Sequence, residues 1–450
     1  MLRNPLIGKK PGDLIEIMLL VVGWMLLFFL IPHKVWGDGP VRYRAIESFI
    51  EHGHLTPLMK YSLIGPLFSA PLYLLGKWIG TPEWWVARFN TIFFGLGALL
   101  IYQVLHHSIS SRLLRRFLLL TMLASMMSQE LLGYGAEAFS AVSVAAGLAA
   151  WITGRWVFGS VLLSLGVANT PGTIIGLALA MLVWAFHEKR FRAATPVLLA
   201  VLIWGAENWL RRGSPMITGY EFEASGTPSI EPHPMLPYSA HKGFTYPLFF
   251  GLLSYLFSFG KGLLFFSPAL FLPLRNRTMS PAIRDLYRYC MVYLLGLAIT
   301  YARWWAWFGG VSWGPRFLLF ASVPASLVLT ARLDEIDSSL INDTLSALAL
   351  ALCFWVGFSG ITFGLEGQQA CVVNDYINEP YCWYVPEWSV LWHPFVQRRA
   401  LSFAEWAVAF FYILALLYFL IPLTRRISSK LYRRLGSSVV SFRKRPSWRL

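Results

Sequence analysis

The chain has 450 residues, of which 56% are hydrophobic, 16% aromatic and only 14% charged, with a formal net charge of +15. Soluble domains carry about 25% charged residues, so this composition leaves too little polar surface to cover a water-facing globule. The positive charge gathers in short segments between apolar runs, which accounts for it by membrane orientation rather than by nucleic-acid binding.

The first apolar run, Leu14 to Ile31, follows a short basic start of Arg3, Lys9 and Lys10. About 20 residues suffice to cross a bilayer. Pro32, His33, Lys34 and Trp36 follow it instead of a small-residue cleavage site, so it reads as a retained first span. Further spans are expected near 87–107, 117–129, 137–152, 156–168, 172–186, 195–208, 258–273, 284–302, 317–331, 344–363 and 404–422. The expected fold is therefore an all-α polytopic membrane protein of about twelve transmembrane helices. The pair at 156–168 and 172–186, broken by Asn169-Thr170-Pro171-Gly172, is short for two full crossings. One membrane domain is expected over 1–424, with no internal repeat. A basic tail at 425–450 would lie beside anionic lipid.

Lys and Arg cluster at Arg112/Arg115/Arg116, Lys189/Arg190/Arg192, Arg275/Arg277 and Arg284/Arg288, with nine more in the tail. Placing both termini in the cytoplasm puts 24 of the 38 Lys and Arg inside and 14 outside, as the positive-inside rule requires. The external loops are then 32–86, 209–245, 303–316 and 364–403. The second half of the first loop is apolar but interrupted by Pro66 and Pro71. Counting it as a span would put Arg112–Arg116 outside, so it reads as helices lying in the outer interface. Cys371 and Cys382 share the last external loop, in a compartment where disulfides form, and are expected to pair. Cys290 and Cys353 fall inside spans as packing residues.

The polar residues that could carry chemistry gather outside. Asp38 stands between Gly37 and Gly39 just beyond the first span. A carboxylate at that depth suits a general base, although a solvated turn aspartate is the plainer reading. Arg42, Arg44, Lys60 and Tyr61 share its loop, where cations suit a lipid-borne phosphate or simply snorkel to headgroups. Glu130 and Glu137 interrupt apolar runs in SQELLGYGAEAF, and carboxylates there are costly unless used. Arg211, Arg212 and Tyr220 follow the seventh span, and Lys261 lies in SFGKGLLFFSPAL at the head of the eighth. Arg303 and Trp304 open the stretch that Arg316 closes. Aromatic faces beside cations fit a sugar ring or an isoprenoid tail, while tryptophans also belong at any membrane interface. No phosphate loop, HExxH or nucleophile-elbow motif occurs. No His/Asp/Cys group has metal-ligand spacing, so the sequence requires no cofactor and leaves a divalent metal open.

Six segments together resemble bacterial membrane glycosyltransferases of the C-type fold, including their protein-mannosyltransferase and aminoarabinose-transferase members. They are GDGPVRYRAIESFIEHGHL, KYSLIGPLFSAPLY, GYGAEAFS, ENWLRRGSPMITGY, FSFGKGLLFFSPAL and GGVSWGPRFLLFASVP, in the family's order over residues 38–325. The last 125 residues match nothing in particular. The resemblance implies long external loops over a cavity that opens to the outer leaflet of a bacterial inner membrane. It implies a polyprenyl-phosphate sugar as donor, with an unknown glycan, lipid or protein acceptor. The family's catalytic acid in the first loop matches Asp38, and its phosphate-contacting cation before the interfacial helix matches Lys60. A second acid beside the first is replaced by Gly39. The expected reaction is transfer of one sugar to an acceptor hydroxyl, with inversion, Asp38 as base, and Lys60, Arg211 and Arg316 facing the departing phosphate. A lipid or polysaccharide transporter, or a ligase using diphosphate-linked donors, is the alternative.

Overall fold

A computed structural model describes residues 11–220, 243–274, 280–335, 337–366, 371 and 378–443. Helices dominate. The first, α1 (Pro11–Met25), continues into a single wider turn over Leu26–Leu30. The chain then forms α2 (Gly39–His52), α3 (Ile64–Trp78) and α4 (Pro82–Ala87) before α5 (Phe89–Leu105). Next come α6 (Ser111–Leu123), the one-turn α7 (Met127–Glu130), α8 (Glu137–Ile152), α9 (Trp156–Asn169), α10 (Ile174–Glu188) and α11 (Ala194–Arg212). The second half contains α12 (Leu248–Phe257), α13 (Leu263–Phe266), α14 (Pro281–Ala302), α15 (Ser322–Asp334) and α16 (Leu340–Thr362). Two short helices, α17 (Glu379–Tyr384) and α18 (His393–Val396), precede the long α19 (Phe403–Arg443).

Among the described residues, six helical stretches are long and apolar enough to cross a bilayer: Gly12–Leu30, Pro171–Glu188, Phe191–Arg212, Arg316–Asp334, Leu340–Thr362 and Phe403–Arg434. Four shorter apolar helices, α5, α8, α9 and α12, accompany them. The helix α8 is the centre of the bundle. Ala138 to Trp151 are all buried, and most are Ala, Ser, Val or Gly, whose small side chains let neighbouring backbones approach. An added Cβ at Gly159 of α9 would lie 2.9 Å from the carbonyl of Gly147 on α8, and one at Gly97 of α5 would lie 2.2 Å from Val142.

Ion pairs fix which helix ends lie together. Glu16, in the second turn of α1, accepts from Arg115 Nε at 2.9 Å, Arg116 Nε at 2.7 Å and the Tyr418 hydroxyl at 2.9 Å. Asp343 at the start of α16 accepts from Lys430 Nζ at 2.6 Å, and Arg426 donates to the Glu335 carbonyl past the end of α15. The starts of α1, α6 and α16, the end of α15 and the lower part of α19 therefore share one end of the bundle. That end holds Arg112, Arg115 and Arg116. The opposite end receives α2, α3, the end of α11 and the loop between α14 and α15.

Three expectations shift. The stretch expected as one span at 258–273 is broken: α12 precedes it, and a turn at 259–261, the four-residue α13 and a 3₁₀ turn at Pro268–Phe271 follow. The serine and proline at 267–268 explain the interruption, since proline has no donor for a continuing helix. The span expected at 117–129 begins earlier, with Ser110 accepting from Leu113 N, and stops at Leu123. Finally, α19 runs on to Arg443 without a break at the expected 424/425 boundary. The tail beyond it, Arg275, Arg277, the first ten residues and most of the loop at 209–245 lie outside the described residues. In the first external loop α3 has 15 residues, spanning about 22 Å at 1.5 Å each, short of a full crossing.

Candidate functional site

Asp38 follows Gly37, whose φ of 61° turns the chain out of the first span and into α2. It precedes the first residue of α2, yet its side chain does not cap that helix. The carboxylate instead reaches across the fold. Its Oδ1 accepts from the Tyr61 hydroxyl at 2.6 Å, and its Oδ2 accepts from Arg316 Nη1 at 2.9 Å. Burial alone would raise the Asp38 pKa. The charge of Arg316, the Tyr61 hydrogen bond and the charge of Arg42 outweigh it, and the carboxyl lies below its ordinary value. The same carboxylate, with burial as the larger cause, drives the Tyr61 phenol upward.

Arg316 is the hub. Its Nε lies 3.8 Å from Glu137 Oε1, on the other side from Asp38. Its guanidinium stands 5.2 Å from the centre of the Phe317 ring, which stacks on Tyr301 at 4.4 Å. Gly309 has φ 76°, and a Cβ there would press on Arg316 Cγ and Nε at 3.0 and 3.1 Å. Only glycine accepts both conditions. Glu130 approaches from the α7 side: a Cβ at Gly135 would sit 3.5 Å from Glu130 Oε2 and 3.2 Å from Glu137 Oε2. Burial, then the neighbouring Glu137, pushes the Glu130 pKa up to about 8. Asn90 fixes this turn by donating to the carbonyls of Gly133 at 2.7 Å and Gly135 at 3.1 Å.

A second group lies beside the first. Arg42 is 5% exposed, stands 4.8 Å from the Tyr61 ring centre and donates to the Ser62 carbonyl at 3.4 Å. Lys60 Nζ lies 5.3 Å from the Tyr61 ring and 5.4 Å from that of Tyr220. Tyr220 in turn packs edge-on against Trp304 at 5.7 Å. Tyr61 thus joins the cation–aromatic group to Asp38.

Other sequence candidates serve different ends. Arg211 is enclosed by acceptors: the carbonyls of Tyr61, Thr56 and Met59 at 2.8, 2.9 and 2.5 Å, and Glu207 Oε1 at 2.7 Å. Arg212 donates to the carbonyls of Pro57 and Met59 and to Asn208. Both arginines hold the segment before α3. Lys261 is buried in the turn after α12, where Nζ donates to Ser312 O at 2.6 Å and Ser312 Oγ at 3.0 Å, bracing the loop that leads to Arg316. Arg303 donates to the Phe244 carbonyl at 3.2 Å. Arg44 is exposed and bonds the Pro40 carbonyl of its own helix at 3.3 Å. Cys371 and Cys382 stand as a disulfide pair with Cα atoms 6.3 Å apart, while Cys290 and Cys353 are free and buried. Among the described residues no three His, Cys, Asp or Glu side chains gather as a metal site.

Sequence reasoning passed over Glu207, which lies within the span ending at Arg212. It also accepts from Ser62 Oγ and Leu63 N, each at 2.7 Å. The available signal was an acid four residues before an arginine near the end of an apolar span.

No family model and no curated protein sequence matches the chain. Among solved structures it is similar to ArnT from Cupriavidus metallidurans, crystallised bound to undecaprenyl phosphate. The TM-score is 0.50 at 14% identity, covering 92% of this chain and 77% of that one. The likeness is one of fold: this polytopic helical membrane protein shares the architecture of ArnT.

Proposed function

We propose that the protein transfers a sugar from a polyprenyl-phosphate donor to an acceptor hydroxyl, at the end of the bundle facing away from Arg112–Arg116, outside the cytoplasm. The observation that carries this reading is the meeting of Asp38, Tyr61 and Arg316, three residues distant in sequence, beside Lys60 and Arg42. An aspartate poised between a cation and a phenol suits a reaction that moves one proton and releases one anion. Support also comes from the fold, shared with a protein solved with undecaprenyl phosphate.

In the proposed reaction the acceptor oxygen forms a bond to the anomeric carbon. The bond from that carbon to the donor phosphate oxygen breaks, and polyprenyl phosphate leaves with the electron pair. Asp38 takes the acceptor's proton. Lys60 and Arg316 stabilise the departing phosphate, where negative charge accumulates. A carboxylate held by a guanidinium is a weak base, so donor binding has a second task. Its phosphate offers Arg316 another acceptor, weakens the hold on Asp38 and raises the carboxylate's basicity when the acceptor arrives. One displacement inverts the anomeric centre. Glu137, on the other flank of Arg316, is the second candidate base.

The test is purified protein in liposomes offered a panel of polyprenyl-phosphate sugars and candidate acceptors. Transfer with release of polyprenyl phosphate supports the reading. Movement of an intact lipid-linked sugar without bond cleavage would establish a transporter, and exclusive use of diphosphate-linked donors a ligase.

A further inference from the structure

The segment before α3 carries Lys60 and Tyr61, yet its own backbone forms no regular element between Gly53 and Leu63 apart from isolated turns. Something else must set its position. The end of α11 does so through one carboxylate and one guanidinium. Glu207, with its side chain 11% exposed, accepts from Ser62 Oγ and Leu63 N at 2.7 Å each, and from Arg211 Nη1 at the same distance. Arg211 carries the other half of the clamp, donating to the carbonyls of Thr56, Met59 and Tyr61. The carbonyl of Tyr61 is thus held by Arg211 while its hydroxyl is held by Asp38. Backbone donors and acceptors along 56–63 are met by a pair of opposite charges, and each charge is neutralised by the other. Removing one would leave the second buried without its counter-ion.

We infer that Glu207 is a positioning residue: it fixes Lys60 and Tyr61 relative to Asp38, and so sets the affinity of the site for a polyprenyl phosphate. The ligand in this inference rests on the function proposed above; the clamp itself does not. Glu207→Gln keeps one acceptor oxygen, for Leu63 N, but sets an amide NH2 against Ser62 Oγ and removes the charge facing Arg211. Glu207→Ala removes both. The two changes therefore grade the loss.

The experiment uses the full chain in lipid nanodiscs, with a nitroxide attached at Leu58→Cys, a position 71% exposed on the clamped segment. Undecaprenyl phosphate is the probe. The spectrum should show a restrained label when Glu207 is present, a mobile one in Glu207→Ala and an intermediate one in Glu207→Gln. Binding of undecaprenyl phosphate should weaken in the same order, by about tenfold for Glu207→Ala, the order of effect of losing a charge-assisted hydrogen bond that holds geometry. Glu207→Gln should recover most of the affinity. Equal loss in both variants, with a restrained label throughout, would overturn the inference, as would a mobile label with unchanged binding. If the protein with Glu207 intact binds no undecaprenyl phosphate, the functional reading falls, and the label's mobility alone decides whether Glu207 clamps the segment.

Discussion

Arg316 donates a 2.9 Å hydrogen bond to Asp38 across 278 positions of sequence. The aspartate stands just before α2, beyond the first span; the arginine begins the stretch leading into α15. Their pairing closes the site between the first third of the chain and its second half. It also holds the pKa of a half-buried aspartate below its ordinary value, since the guanidinium and the Tyr61 phenol outweigh burial.

That pairing predicts an acid-side signature. A carboxyl whose folded pKa is depressed contributes stability above its unfolded value, and loses it as pH falls through the folded one. Thermal midpoints of the parent and Asp38→Asn should differ at neutral pH and converge in acid, below the ordinary aspartate range. A constant difference down to the acid limit would mean that Asp38 is not held by charge.

Asp38→Asn keeps size and most hydrogen bonding but removes the carboxylate proposed as the base. Sugar transfer should fall by about 10²–10⁴, while undecaprenyl phosphate binds at least as well, since Arg316 no longer pairs with a carboxylate at position 38. Lys60→Ala should chiefly weaken that binding. Near-normal transfer by a well-folded Asp38→Asn protein would move the base to Glu137.

Glu130 predicts the opposite slope. Its pKa is pushed up to about 8 by burial, with Glu137 adding to it. A carboxyl raised in this way costs stability as pH climbs from its unfolded value toward the folded one. Glu130→Gln should flatten the decline in thermal midpoint between the ordinary glutamate pKa of 4.5 and the raised value of about 8, with no difference in slope above it. An unchanged decline would place the titration elsewhere.

Orientation can be read with a membrane-impermeant maleimide in sealed cells. Leu58 is exposed beside the site, and Arg112 is exposed at the other end. Leu58→Cys should label from outside and Arg112→Cys should not. The reverse pattern would invert the protein and move the site to the cytoplasm.

Cys371 and Cys382 lie 11 positions apart, and their link should stabilise the last loop by about 2–3 kcal/mol on loop-closure entropy. Denatured, unreduced protein should present two free thiols, from Cys290 and Cys353. Four would show that the loop is held by packing alone.

Composition and the spacing of apolar runs were enough to determine a polytopic helical membrane protein, because lipid leaves a spanning backbone few alternatives to the helix. The same reasoning marked Asp38, Lys60, Glu137 and Arg316, since charge beside an apolar run carries a cost visible in one dimension. What the sequence alone could not separate was which arginine pairs with carboxylates across the fold and which serves the backbone. Arg211 and Arg316 look alike beside their spans, yet one is enclosed by carbonyls and Glu207 while the other meets Asp38 and Glu137. That difference belongs to tertiary structure. A guanidinium takes its role from the acceptors that packing brings near it, and all of those but Glu207 come from segments more than a hundred residues away.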